Sequence, residues 1–533
     1  MTPDGTKVYW ENGDQITLFT GAEDEAGRRR HAIYTAIIEN GPKSVATFRR
    51  DQNIWPYRDG EHYLAAYPAS SIDRWGTNTN WTAYAILPTE QTARQGAWDP
   101  AAGILAASSR TPDFVFDHAV AYVKFTVNGS SSPFVSMHVA YPDVSTYPMG
   151  SDAHVNAAVA NQLTINYAEN SITVSDYNAS TSVVVKDYDL VPYPSTKAVL
   201  NSPDGQPFAD GTYYVAVMPR EYKNGLSCVF TGADGKVAVK KLEGPVNLGR
   251  GDVLNVGEIG ELTFKAPIQN HTVWSDANGQ NQGVVFWVDD ADPTKGKIVS
   301  YCNHVPSCWS TILKPMNVEN PDAYLSNYTN IVNSSDFKAE TFPAVAFCQE
   351  LRKRDNAKWH LPTIQDMRIL YNSYYGRNYI SPLRGQYSLK DQNGNTIVQK
   401  GLDFRYRPDN MTNKDYQKVL QTKKNFDDLL KSIGEESLAL KSIGEESLAS
   451  LDGTNVIGTS GNYSIDPNSL LDRFGMNNSG ANQGINYWLH CETPNTDGKN
   501  AYTVRIGHYA YTNGTKRDTN NKYIRCIREV SLE

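Results

Sequence analysis

The feature that most constrains this chain is its punctuation. From Thr6 to Ile259, short alternating apolar segments are separated by turn signals, with no helical periodicity between them. TKVYWENGDQITLFTG alternates around Asn12-Gly13-Asp14, HYLAAYPAS stops at Pro68, and NWTAYAILP stops at Pro88. Residues 89–111 read as a loop. DFVFDHAVAYVKFTVNG closes at Asn128-Gly129, and QLTINYAENSITVSDY, TSVVVKDYDLV, GTYYVAVMP, LSCVFTGADGKVAVKKL and GDVLNVGEI follow. Strands at this spacing without intervening helices predict β-sandwiches or barrels. After about residue 264 the character changes. GVVFWVDDADPTKGKIVS predicts a hairpin around Asp292-Pro293. FPAVAFCQELRKRDN places Val345, Ala346, Cys348 and Leu351 at helical spacing. LPTIQDMRILYNSYY predicts a second helix, with Thr363 as N-cap and Asp366 at the reciprocal position. The last third is therefore α+β.

The 533 residues are too many for one core and suggest three or four domains. Hydrophobic residues make up 40% and charged residues 20%, enough to bury cores. The net charge, 50 − 58 = −8, disfavours nucleic acid as a partner, because that needs concentrated Lys and Arg. The 32 Tyr and 10 Trp suit strands and binding surfaces. No run of 18 apolar residues occurs, and the chain opens MTPDGTKVYW, polar from the start. The expectation is a cytoplasmic protein or a trimmed mature form. Five of six cysteines (Cys302, Cys308, Cys348, Cys491, Cys526) follow residue 300. That clustering reads as disulfides in an oxidising compartment, with buried thiols as the alternative.

No catalytic signature emerges. Asp289 with Asp290, Asp427 with Asp428 and Glu435 with Glu436 are adjacent pairs, and neighbours on a strand or helix cannot flank one bond. They read as solvated surface charge. GxSxG, HExxH, Walker and dinucleotide patterns are missing. Cys302-x5-Cys308 with His304 matches no common zinc spacing, so neither a metal nor a cofactor is expected. KSIGEESLAL at 431–440 recurs as KSIGEESLAS at 441–450. One tandem copy is not a solenoid, and it reads as a duplication inside a surface insertion.

Two ordered sets of motifs go further. Trp10 to Ile16 (WENGDQI), Ala66 to Ser70 (AYPAS), Leu87 to Gln91 (LPTEQ), Phe114 to Phe125 (FVFDHAVAYVKF), Tyr213 to Pro219 (YYVAVMP) and Leu248 to Val253 (LGRGDV) follow one another. In this order they resemble the fimbrillin family of Bacteroidia-type pilins. Gly283 to Val288, Cys348, Trp359-His360-Leu361-Pro362-Thr363, Tyr487-Trp488 and Ile524-Arg525-Cys526-Ile527-Arg528 resemble the C-type-lectin-like domains of bacterial surface proteins. Asp366 stands where that pattern has Glu. The calcium-lectin signature is absent, and Glu492-Thr493-Pro494-Asn495 only echoes it.

The resemblances imply a mainly β chain: two transthyretin-like β-sandwich domains (1–112 and 113–264), a linker (265–282) and a lectin-like domain (283–533) with an insertion at about 380–480. They imply a non-enzymatic fimbrial subunit, tip or minor, acting in cell adhesion outside the cell. Its partners would be other pilin subunits, joined by strand exchange, and a surface glycan or protein, with outer-membrane association through the pilus. An enzyme on a formylglycine-generating scaffold and a purely structural subunit are the alternatives. The lectin-like resemblance implies a Cys348–Cys526 disulfide, which would close a loop of well over a hundred residues. It also places ligand contact at Glu492, Asn495, Asp497, Asn500, Tyr509, Tyr511, Asp518 and Asn520, where aromatics and planar polar groups suit a sugar. Trp488 reads as a core residue.

Overall fold

The computed structural model describes residues 2–4, 7–23, 29–50, 62–75, 82–142, 159–168, 171–176, 196–301, 307–318, 324–374, 387–390, 396–399, 413–434, 475–476, 482–483, 485–492, 499–506, 511–518 and 522–532. The chain is mainly β. In the first part, a six-stranded sheet runs in the order Asp117–His118, Leu105–Ser109, Tyr63–Tyr67, Gln15–Glu23, Arg29–Ile37, Thr47–Arg50. A four-stranded sheet runs Ser171–Asp176, Asn161–Ala168, Thr82–Leu87, Ile72–Trp75. A five-stranded sheet follows (Val237–Leu242, Leu226–Thr231, Ser136–Ala140, Lys197–Asn201, Glu90–Thr92), with a three-stranded one (Gly211–Val217, Ala121–Val127, Val253–Ile259).

Strand pairing crosses residue 112 in both directions. Asn161–Ala168 pairs antiparallel with Thr82–Leu87, with Leu163 opposite Ala85. Glu90–Thr92 runs parallel to Lys197–Asn201, with Gln91 opposite Leu200. One hydrophobic cluster accordingly extends from Phe19 and Leu64 through Trp98 and Tyr122 to Ile259. Residue 112 divides the sequence, but the two sandwiches share strands and core.

Leu105–Ser109, read as loop, is an interior strand between Tyr63–Tyr67 and Asp117–His118. Its alanines lack the branched side chains that announce a strand, yet Ala106 and Ala107 are fully buried. Small side chains on a central strand let layers on both faces come close. At Gly103 a Cβ would lie 2.3 Å from the indole Nε1 of buried Trp98, so the turn before this strand admits no side chain.

Gln91 shows how the exchange is secured. Its Nε2 donates to the Ala216 carbonyl (2.8 Å) and its Oε1 accepts from the Ala216 N–H (2.9 Å), so one side chain stands in for a neighbouring strand. Gln91→Ala should orphan both buried groups and cost about 2–5 kcal/mol. Urea unfolding of the variant checks this, and a loss below about 1 kcal/mol would contradict the assignment.

The C-terminal part has a four-stranded sheet, Val273–Ser275, Asn281–Val288, Lys295–Val299, Ile527–Ser531, and a three-stranded one, Ile485–Glu492, Asn500–Ile506, Tyr511–Lys516. Helices α1 (Tyr324–Val332), α2 (Pro343–Asp355), α3 (Ile364–Tyr374) and α4 (Asn413–Ser432) pack around them. The linker belongs to this part. Ile268 is buried in its core, its N–H donates to Pro293 O, and Val273–Ser275 is an edge strand.

The insertion is more than surface. Phe426, Leu430 and Ile433, at i, i+4 and i+7 across the end of α4, pack with Val284, Phe286, Met367 and Leu370. Buried Asp427 accepts from Tyr374 Oη at 3.1 Å, whereas its neighbour Asp428 is half-exposed. The second acidic pair therefore splits between core and solvent. Glu435, Glu436 and the second repeat copy lie outside the described residues.

The first acidic pair also does structural work. Asp290 accepts from Thr196 Oγ1 (2.6 Å) and Lys197 Nζ (2.8 Å), and its carbonyl accepts from His138 Nε2 (2.7 Å). Burial pushes the Asp290 carboxyl up. The Lys197 charge and these hydrogen bonds outweigh that and hold it below its ordinary value. Asp292 adds a contact to Lys241 (3.2 Å). The turn of the Asn281–Val288/Lys295–Val299 hairpin is thus pinned to the five-stranded sheet.

Candidate functional site

The W-H-L-P-T segment sits beside the terminal strand Ile527–Ser531. His360 and Ile527 exchange N–H···O bonds (3.1 and 2.8 Å), so the segment covers an open sheet edge. Thr363 and Asp366 then start α3 with a reciprocal capping box: Asp366 N–H donates to Thr363 Oγ1 and Thr363 N–H to Asp366 Oδ2, both at 2.9 Å.

Cys348 on α2 and Cys526 before the terminal strand form a disulfide, with Cα atoms 5.8 Å apart. Cys228, Cys308 and Cys491 are buried, and among the described residues Cys308 and Cys491 are not paired with each other. Cys302 and His304 lie outside the described residues. Trp359 is fully buried between motif residues. Its indole Nε1 donates to Asp355 Oδ2 (2.6 Å), and the Arg528 guanidinium lies 5.4 Å from its ring centroid. Gly283 is small because a Cβ there would meet Val299 O at 2.7 Å and the Trp359 ring at 3.2 Å.

On the other face of the terminal strand is a buried polar knot. Lys297 Nζ lies 2.7 Å from Asp366 Oδ1, both nearly inaccessible to solvent. Burial alone would raise the Asp366 carboxyl; the Lys297 ammonium overrides it and holds the group at about 2. Neighbouring His360 bonds to Leu361 O (2.8 Å) and has the Tyr324 ring 4.1 Å away. Burial lowers its pKa to about 4. An unfolded histidine titrates near 6.5, so between these values the unfolded chain binds more protons. This contribution to stability is complete above pH 6.5 and is lost as pH falls towards 4, by up to about 3 kcal/mol. Denaturation midpoints across this range should show the loss in the native chain and much less of it in His360→Phe. Equal pH slopes for the two would refute it.

The residues expected to meet a ligand divide. Glu492 is 1% exposed and ion-pairs with buried Arg517; its carboxylate also accepts from Met316 N–H (3.1 and 3.2 Å). It is therefore a structural group and not a ligand contact. The Arg517 guanidinium also covers the Trp309 ring at 4.6 Å and donates to Lys314 O (2.8 Å). Trp488 is buried and donates to Ser307 O (2.8 Å). Half-buried Asn500 and exposed Asp518 lie at one end of the three-stranded sheet, where Asn500 pairs with Lys516 and Arg517 N–H donates to Lys499 O. Tyr511 starts the Tyr511–Lys516 strand, at the opposite end of the ladder. Asn495, Asp497, Tyr509 and Asn520 lie outside the described residues. Lys499 and Lys516, both exposed, join Asn500 and Asp518 at this rim and were not singled out from sequence. No alternation in the sequence marks them, because the buried neighbour between Lys516 and Asp518 is itself charged Arg517. Among the described residues no cluster of His, Cys, Asp or Glu could hold a metal ion.

No protein-family model matches the chain, and no curated protein matches it. Among solved structures it is similar to three candidate cell adhesion proteins from Bacteroides. The one from Bacteroides uniformis is 13% identical, with 49% of this chain and 93% of that chain covered at a TM-score of 0.29. For Bacteroides ovatus the figures are 13%, 48%, 86% and 0.26, and for Bacteroides fragilis 12%, 52%, 92% and 0.24. Each overlay spans about half of this chain and is too loose to carry a role across.

Proposed function

We propose that this chain is a non-enzymatic subunit of a bacterial surface fimbria, placed at its tip or as a minor component. In this reading it joins other pilin subunits by strand exchange, and its C-terminal domain, built on a lectin-like plan, contacts a surface glycan or protein. The supporting observation is an incompletely covered inner face. Ile33 lies opposite Thr17, on the face of the six-stranded sheet that also carries Phe19, Leu64 and Ala106. Those three are buried, whereas Ile33 and Ile37 remain 42% and 47% exposed. Inward-facing isoleucines next to a sheet edge suit a partner strand, which would satisfy backbone groups and apolar surface together. In the C-terminal domain, the rim of Lys499, Asn500, Lys516 and Asp518 offers the hydrogen-bonding groups a polar ligand needs.

The test pairs two measurements on the full chain. Co-purification with pilin subunits from the producing cells should occur and should drop at least about tenfold in Ile33→Lys/Ile37→Lys. Attachment to host or bacterial cells should fall in Asn500→Ala/Asp518→Ala at unchanged melting temperature. Unchanged assembly would remove strand exchange at this face, and unchanged attachment would remove the rim.

A further inference from the structure

A second cluster of charge lies at the end of α2. Residues 352–358 read RKRDNAK, four cations and one carboxylate in seven residues, within a chain of net charge −8. Cations at a helix C-terminus are ordinarily explained by the helix dipole, and that accounts for exposed Lys353 and Arg354. It does not account for Arg528, which arrives from the terminal strand and is only 9% exposed. The helix end is already closed. Asn356, in the left-handed region at φ 48°, donates its N–H to Arg352 O, and Ala357 N–H reaches the same carbonyl at 3.3 Å.

The acceptors in the group are spoken for. Asp355 takes Arg354 Nε and Nη2 (2.5 and 2.7 Å) and Trp359 Nε1 (2.6 Å). Arg352 uses its Nε on Trp359 O and lies over the Tyr328 ring, 3.5 Å from the centroid. Arg352 Nη2 and Arg528 Nε are left buried with no acceptor among the described residues. Arg354 and Arg528 thus meet around Asp355 and the Trp359 indole, and Arg352 holds the Trp359 carbonyl beside them. Asp276, also within electrostatic reach of Arg528, accepts backbone N–H groups of its own turn from Asn278 and Gln280.

We propose that this knuckle binds the oxyanion of an acidic polysaccharide, a sulfate or a carboxylate. Lys353, Arg354 and Lys358 meet the anion at the surface, and Arg352 and Arg528 supply positive charge and unspent N–H groups beneath. Arg354, already bidentate on Asp355, contributes charge and its remaining N–H groups, and the uncommitted Arg528 guanidinium is the planar fork that matches either anion. The surrounding acidic chain repels polyanions elsewhere, which confines binding to this point. The proposal deepens the reading of the C-terminal domain as the contact-making part, and it lies apart from the Asn500–Asp518 rim.

The full chain is passed over immobilised heparin, unsulfated heparosan and dextran at low and high salt. Binding to heparin that weakens with salt is expected, with none to dextran. Equal binding to heparosan assigns the carboxylate; binding to heparin alone assigns the sulfate. Lys353→Ser/Lys358→Ser should weaken binding by about tenfold or more at an unchanged melting temperature. Arg528→Lys, which keeps the charge and loses the fork, should weaken it as well. The control Lys223→Ser/Lys236→Ser, on the second sandwich, should change nothing. Absence of heparin and heparosan binding at low salt, equal loss in the control, or DNA binding as tight as heparin binding would each overturn the proposal. Cell attachment measured in parallel separates the two readings: attachment that survives the Lys353→Ser/Lys358→Ser variant, with heparin binding lost, leaves the proposed function and this site both standing.

Discussion

Lys297→Met is expected to destabilise the C-terminal part by about 3–5 kcal/mol. Lys297 and Asp366 are 4% and 0% exposed at the side chain, and their 2.7 Å contact is the main compensation for burying either charge. The other carboxylate near Lys297, Glu529, is 3.9 Å away and largely in solvent. Removing the ammonium leaves Asp366 as a buried anion whose partners among the described residues are the Thr363 N–H and the neighbouring imidazole. Its carboxyl, now near 2, should then titrate upward, and the variant should gain stability on mild acidification where the native chain loses it. The double variant Lys297→Met/Asp366→Leu should recover much of the loss, short of the cap contributed by Asp366, worth about 1 kcal/mol. Urea unfolding of the three variants gives the cycle. A cost below 1 kcal/mol for Lys297→Met would show that the pair is incidental.

Cys348→Ser/Cys526→Ser should cost about as much by a different route. The disulfide joins positions 178 residues apart. On the chain-entropy model a loop of that length restrains the unfolded ensemble by roughly 5 kcal/mol. For a part of this size the melting temperature should fall by roughly 10–15 °C. Reduction of the native chain should give a similar shift. Both sulfurs sit where α2 meets the terminal strand, beneath Trp359 and Leu351, so the serine pair also loses packing in the core. Thermal scans of oxidised, reduced and double-serine forms measure the effect, and a shift under about 3 °C would show that the loop is already held by the buried cluster around Trp359.

The sequence alone determined what is local. Alternation of apolar residues between turn signals places strands, because successive side chains on a strand face opposite sides. The Thr363–Asp366 capping box and the helical spacing of Val345, Cys348 and Leu351 are legible for the same reason: the interacting groups are at most a few residues apart. Tertiary structure decided what depends on distant partners. Leu105–Ser109 is a strand because Tyr63–Tyr67 and Asp117–His118 pair with it on both sides. The hairpin Asn161–Ala168/Ser171–Asp176 joins a sheet whose other two strands lie before residue 112. The end of α4 enters the core although its segment reads as an insertion. Glu492 looked like a ligand group because an acidic residue after an aromatic strand is ambiguous. Arg517, 25 residues on, takes its carboxylate, and burial closes it to solvent. Charge type is written in the sequence. Whether a charge faces solvent, a partner or a ligand is set by which segments fold against it, and no spacing along the chain encodes that.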